Sequence, residues 1–233
     1  MSNAPPPREQ PETFLTGQRI EEIDGPETFK RVFDVSRDTL AKLSLYESLL
    51  KRWQRAHNLV APNSLEAVWP RHFADSAQLM RLAPNARIWL DLGSGAGFPG
   101  LVLAILAGAD SEKAFHLVES TGRKCAFLET VIRETGAPAQ VHQTRIEAFE
   151  GLPKGPPDII TARALAPLHG LLDYAVALSG PETRLILPKG QDVDNEWKVA
   201  AHSRKYDVQA IASLTQPAVR VLLISTPERR SHP

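Results

Sequence analysis

The stretch "LDLGSGAGFPG", Leu90 to Gly100, carries the densest chemical signal in the chain. Asp91, Gly93, Gly95 and Gly97 stand in the spacing D-x-G-x-G-x-G, while Gly95, Gly97 and Gly100 also fit G-x-G-x-x-G. Glycines in such a turn permit positive φ and bring a ligand against bare backbone. The two spacings imply ligands of opposite charge. A dinucleotide lays its pyrophosphate over the turn and the following helix N-terminus, where a carboxylate at Asp91 opposes it. S-adenosylmethionine brings a sulfonium and an α-amino group, which the same carboxylate favours. Asp91 thus points to the cation, its plainer reading being an acid that satisfies turn amides. Glu119 closes "FHLVE" roughly 20 residues further on, where an acid of a Rossmann-like fold takes ribose hydroxyls. It supports a nucleoside without choosing between the cofactors; its plainer reading is a surface acid at a strand end.

A turn of this kind needs a strand before it and a helix after it, and the surrounding pattern supplies both. From "RIWLDL" onward, short apolar runs alternate with amphipathic segments: "AFHLVE", "AQVHQT", "DIITAR" and "RLILPK" are the further runs. Helices are expected to start near Pro99, Ser120 and Pro167, with Gly108 and Gly136 ending the first two. "YDVQAIASL" and "VRVLLIST" are separated only by "TQPA", too short for a parallel crossover, so they should pair antiparallel at a sheet edge. The first third reads as helical. Leu40, Leu43, Tyr46, Leu50 and Trp53 recur at three and four behind Ser36 as cap. A second helix is expected after Asn63, with Glu66 as its capping-box partner, and Pro70 should open a third across "RHFADSAQLM". Residues 1–25 are rich in Pro, Glu and Gln and are expected to be a disordered tail. Residues 26–84 form an N-terminal helical subdomain, and 85–233 a cofactor-binding α/β domain.

The chain has 233 residues, 42% of them hydrophobic, and 27 basic residues balance 27 acidic ones. It is not an overtly basic nucleic-acid binder, although Lys51, Arg52, Arg55, Arg71 and His72 gather around the end of the first long helix. Trp53 among them reads as packing. No apolar run approaches the roughly 20 residues of a spanning helix and the start does not resemble a secretory leader, so a cytoplasmic location is expected. Cys125 is the only cysteine, which excludes an internal disulfide and a cysteine metal cluster.

Seven segments together resemble the glucose-inhibited division protein B family, the bacterial small-subunit (16S) ribosomal RNA (guanine-N7) methyltransferases. They are "HNLVAPNS", "RHFADSAQL", "LDLGSGAGFPGLVLAI", "LVESTGRKCAFLETV", "TRIEAF", "TARALAPL" and "LPKGQ". The resemblance implies a class I Rossmann-like methyltransferase fold with a mostly parallel seven-stranded sheet, an antiparallel C-terminal edge pair and an N-terminal helical extension. It implies S-adenosylmethionine as cofactor, with Gly93 and Phe98 lining its site, Ile146 and Glu147 close to the adenine, and Arg163 in the site. The expected partner is 16S rRNA or the small subunit, with no membrane, no metal and a monomeric chain. Val60 stands where many members have Thr, and Pro188 precedes Lys189 where another apolar residue is usual.

Guanine N7 carries a free lone pair, so its methylation needs alignment and no general base. "TARALAP" ends its strand without the Asn/Asp-Pro-Pro-aromatic loop used on exocyclic amines. Cys125 sits on an apolar helix face with positions 128 and 132, where a thiol is inert. Arg163 is therefore expected to position, by contact with phosphate or the cofactor carboxylate, or merely to pair with Asp91 or Glu147. Arg55, Arg71, His72, Arg123, Lys124, Lys189 and Gln191 are candidate RNA contacts, phosphate supplying much of the affinity in such complexes. His72 has a core or capping role as its alternative. The competing functions are a small-molecule methyltransferase, a non-catalytic S-adenosylmethionine sensor and, last, an NAD oxidoreductase.

Overall fold

The computed structural model describes residues 8–9, 22–108, 112–163, 167–190, 193–200, 206–216 and 219–225. Seven strands form the expected sheet: β2 (Ile88–Leu92), β3 (Ala114–Glu119), β4 (Ala139–Gln143), β5 (Ile159–Ala162), β6 (Arg184–Lys189), β7 (Asp207–Ala212) and β8 (Arg220–Ser225). An additional two-residue strand, β1 (Arg8–Glu9), pairs parallel with β7, giving the order β1-β7-β8-β6-β5-β2-β3-β4. The five strands β2 to β6 run parallel to one another, and β8 is antiparallel to both β6 and β7. Parallel strands covered on both faces read as continuous apolar runs, which is why Ile159–Ala162 is buried throughout.

The alternation of side chains along β2 divides the core. Trp89 joins Phe115, Leu101, Phe127 and the N-terminal helices on one face. Leu90 and Leu92 join Val118, Ile160, Leu171, Trp197 and Leu222 on the other. The N-terminal helices are α1 (Pro26–Phe33), α2 (Arg37–Gln54), α3 (Pro62–Leu65) and α4 (Asp75–Ala77). Ser36 caps α2 as expected, its hydroxyl accepting from the Thr39 N–H at 3.0 Å. The second helix differs from expectation: Ala61 and not Asn63 is its cap, because Pro62, with its fixed φ, takes the first helical position. "RHFADSAQLM" is one helical run of changing pitch, a π turn at Trp69–Ala74, then α4, then a 3₁₀ turn at Gln78–Leu82.

The remaining helices are α5 (Gly100–Ala107), α6 (Gly122–Thr135), α7 (Leu168–Ala177) and α8 (Val193–Ala200). The first three follow their strands behind Pro99, Thr121 and Pro167, and Gly108 and Gly136 end α5 and α6. Of residues 1–25, the structure describes 8–9 and 22–25. Arg8–Glu9 is a strand, and Ile23, 6% exposed, joins the core because it is an apolar side chain adjoining α1. Residues 1–7 and 10–21 lie outside the described residues.

Candidate active site

Strand β2 delivers the chain into the turn from Gly93 to Pro99 at the carboxyl end of the sheet, where open α/β folds bind ligands. Gly93, Gly95 and Gly97 adopt φ of 65°, 58° and 98°, a region that side-chain-bearing residues rarely enter. They serve different ends. A Cβ at Gly97 would strike the Tyr46 hydroxyl and come within 2.9 Å of Leu101 Cβ and 3.0 Å of Leu128 Cδ2, so this glycine is a packing requirement. A Cβ at Gly95 would meet only the Gly93 carbonyl, at 3.8 Å. Gly93 and Gly95 present bare backbone to a cleft of about 900 Å³, within the size range of small-ligand sites. The turn is held from below: the Ser94 N–H donates to Val118 O at 3.0 Å, and the Tyr46 hydroxyl donates to the Ala96 carbonyl.

Asp91 is a buried acid. Lying on the Trp89 face of β2, it is 2% exposed, and its carboxylate accepts from Thr161 Oγ1 at 2.8 Å and from the Gly100 N–H at 3.3 Å. Burial pushes its carboxyl up to about 6 against the pull of those hydrogen bonds and of the Arg163 charge. Its carboxylate thereby anchors the start of α5 beneath the turn. Glu119, 6% exposed, does reach the turn. One oxygen accepts from the Gly95 N–H at 3.0 Å and the other from the Thr121 N–H at 2.8 Å. Each carboxylate oxygen keeps a lone pair for a ligand hydroxyl.

Arg163 follows β5 and is held by the N-terminal segment. It donates to the Arg71 carbonyl at 3.1 Å and to His72 Nδ1 at 2.7 Å, approaches Asp75 Oδ2 at 3.5 Å, and lies over the Phe98 ring at 5.0 Å. Its acidic partner is thus Asp75, not Asp91 or Glu147. Asp75 in turn accepts from Thr215 Oγ1 and Gln78 Nε2, both at 3.0 Å, which ties Arg163 to the turn between β7 and β8. His72 stacks on Phe98 with centroids 4.5 Å apart, and Phe98 also stacks on Tyr46 at 5.6 Å.

A guanidinium only donates, so His72 Nδ1 accepts and the ring proton sits on Nε2, a buried atom with no partner among the described residues. Burial first, then the Arg163 and Arg71 charges, lower His72 from 6.5 to about 3. It lines the cleft, is 7% exposed and holds Arg163 through Nδ1.

Arg71, Lys124 and Lys189 also line the cleft. Lys189 pairs with Glu196 at 2.9 Å. Arg55 and Arg123 lie outside it, beside a smaller cleft that Lys124 shares. Ile146 lies in the 3₁₀ turn Ile146–Ala148 after β4, joined to the Glu119 strand end by the Thr144 N–H to Glu119 O bond at 3.1 Å. Glu147 accepts from the Tyr174 hydroxyl at 3.2 Å, away from Arg163. Gln191 lies outside the described residues.

Sequence reasoning reads Tyr46 as part of a helical stripe and passes over Asp75 and Glu196; the only signal for Asp75 is its place in "RHFADS". Among the described residues no three His, Cys, Asp or Glu side chains converge as a metal site requires, and no helix is long and apolar enough to cross a membrane.

A family model described as rRNA small subunit methyltransferase G matches residues 39–222. The chain is 48% identical over 200 residues to the Ribosomal RNA small subunit methyltransferase G of Parvibaculum lavamentivorans, covering 85% of this chain and 88% of that one. It is 48% identical over 198 residues to the protein of the same name from Rhodospirillum centenum, covering 84% and 88%. Among solved structures, a mutant of MtNAS in complex with S-adenosylmethionine shares the fold with a TM-score of 0.53 at 16% identity, over 87% of this chain and 84% of that one. The matched span takes in the glycine turn, Glu119 and the Arg163 clamp together, and the chain belongs to the rRNA small subunit methyltransferase G family.

Proposed function

We propose that this protein methylates N7 of a guanine in small-subunit (16S) ribosomal RNA, using S-adenosylmethionine and no general base. Family membership supports the reaction class and the substrate class. The observation that carries the base-free mechanism is the state of His72, the histidine of the cleft. Its acceptor nitrogen is taken by Arg163 and its proton affinity is depressed to about 3, so it has no means of taking a proton from an acceptor near neutrality. N7 presents a lone pair and no proton, and such an acceptor suits a cleft of this kind.

Bound S-adenosylmethionine supplies an electrophilic methyl group. The residues present fit it: Gly93, Gly95 and Phe98 line the cleft, Gly95 with open space at its missing side chain, Glu119 offers lone pairs to ribose hydroxyls, and Ile146 and Glu147 follow β4 at the same end of the sheet. Arg163, clamped by Arg71, His72 and Asp75, orients the acceptor nucleotide or the cofactor carboxylate, and Arg71, Lys124 and Lys189 face RNA phosphates. The chain acts as a monomer in the cytoplasm. A small-molecule acceptor fits less well, since cations stand around the cleft where an apolar enclosure would be needed.

Purified protein, tritiated S-adenosylmethionine and small ribosomal subunits test the reading. Label should enter the RNA at a rate unchanged between about pH 7 and about pH 8.5, and Arg163→Ala should slow transfer about 100-fold. No label in RNA, a rate rising tenfold per pH unit, or full turnover by the Arg163 variant would overturn it.

A further inference from the structure

The end of α2 and the start of α6 enclose a second cleft, of about 430 Å³, beside the main one. Trp53 meets Phe127 edge-on at 5.6 Å and fixes the two helices together. The connection after α2 is fastened by Gln54, whose Oε1 accepts from the Leu59 and Val60 N–H groups at 2.8 and 3.1 Å while its Nε2 donates to the Val60 carbonyl at 2.9 Å. Arg55, Asn58, Thr121, Arg123 and Lys124 complete the walls, and no acid lines them. Arg55, Arg123 and Lys124 form no ion pair among the described residues, and the positive end of the α6 dipole adds to their field.

Leu59 and Lys124 line both clefts, so the two lie side by side. We infer that the second cleft holds the phosphodiester backbone of the RNA strand flanking the acceptor nucleotide, with Arg55 and Arg123 on phosphates and Lys124 at the junction.

This rests on RNA as the acceptor in the main cleft. A chain of zero net charge has no general attraction for RNA, so affinity must come from places where cations stand without acids. The lining contains no aromatic side chain on which a base would stack, which suits contact to backbone and not to bases. Adjacency to the main cleft, with Leu59 and Lys124 in both linings, favours the substrate strand over an acidic protein, which would have no reason to adjoin the glycine turn.

The test uses the full chain with the Arg55→Ala/Arg123→Ala pair, naked 16S rRNA and small subunits. Calorimetry with S-adenosylmethionine should give an affinity like that of the wild type, showing that the fold and cofactor site are intact. The KM for naked RNA should rise about tenfold, and the slope of log affinity against log salt should shrink by about 0.7 for each phosphate that is no longer neutralised. The Arg55→Lys/Arg123→Lys pair should restore both. An unchanged KM and salt slope in the alanine pair would overturn the inference, as would a defect confined to small subunits, which marks a protein partner. A wild-type enzyme that fails to label RNA sinks the proposed function itself, and is thereby distinguished from failure of the second cleft alone.

Discussion

His72 shows how one side chain can be read from its partners. Free histidine takes a proton near 6.5, whereas His72 in the fold does so only at about 3. Between those values the unfolded chain binds a proton that the folded chain does not, so stability present above about pH 6.5 is lost as pH falls. The loss from this group is about 2 kcal/mol between pH 7 and pH 5. Asp91 works the other way: raised from 3.8 to about 6, it contributes stability that is full below 3.8 and lost as pH rises through about 6. Urea unfolding of wild type and His72→Gln at both pH values should show the variant losing about 2 kcal/mol less on acidification; equal losses would place a free, titrating histidine at this position. Glu119 was legible because its signal is a strand end at a set distance from the turn. The Arg163, His72 and Asp75 contacts were not, since they join elements 88 and 91 residues apart in the chain. The burial of Asp91 was not legible, because adjacency to glycines says nothing about which face of β2 a side chain takes.

At the scale of elements, the glycine turn is shaped by three: β2 and α5 set its path, and α2 fastens it through Tyr46. Tyr46 joins the Ala96 carbonyl from 50 residues away, so the helical extension is part of the turn's scaffold. Two substitutions in one turn should therefore fail differently. Gly97→Ala drives a methyl group into Tyr46, Leu101 and Leu128 at an unfavourable φ and should destabilise the protein by about 2–4 kcal/mol in denaturant unfolding. Gly95→Ala meets no close neighbour and should cost about 1–2 kcal/mol, with its larger effect on S-adenosylmethionine affinity. The reverse order of effects would reassign the two glycines. The strands were legible as apolar runs, and the closing hairpin from its short connection. The changes of pitch in the segment from Trp69 to Leu82 were not, because π, α and 3₁₀ turns bury nearly the same residues. The pairing of Arg8–Glu9 with β7 gave no signal, two residues being too few for a pattern.

Over the whole molecule, charge is balanced in number and uneven in place. Acids in the main cleft are occupied: Asp75 holds Arg163 and Glu196 holds Lys189. Arg71 and Lys124 form no ion pair among the described residues and face a ligand space between the helical extension and the sheet. Family resemblance and the glycine turn made the reaction class legible from the sequence, while the cleft itself was hidden because its walls come from segments spread along the chain. What binds these levels together is transfer to an acceptor that gives up no proton. Nucleoside mass spectrometry of 16S rRNA from cells with and without this gene tests that most directly. A single 7-methylguanosine should disappear with the gene; loss of a methylated exocyclic amine or pyrimidine, or no change at all, would rule out such an acceptor.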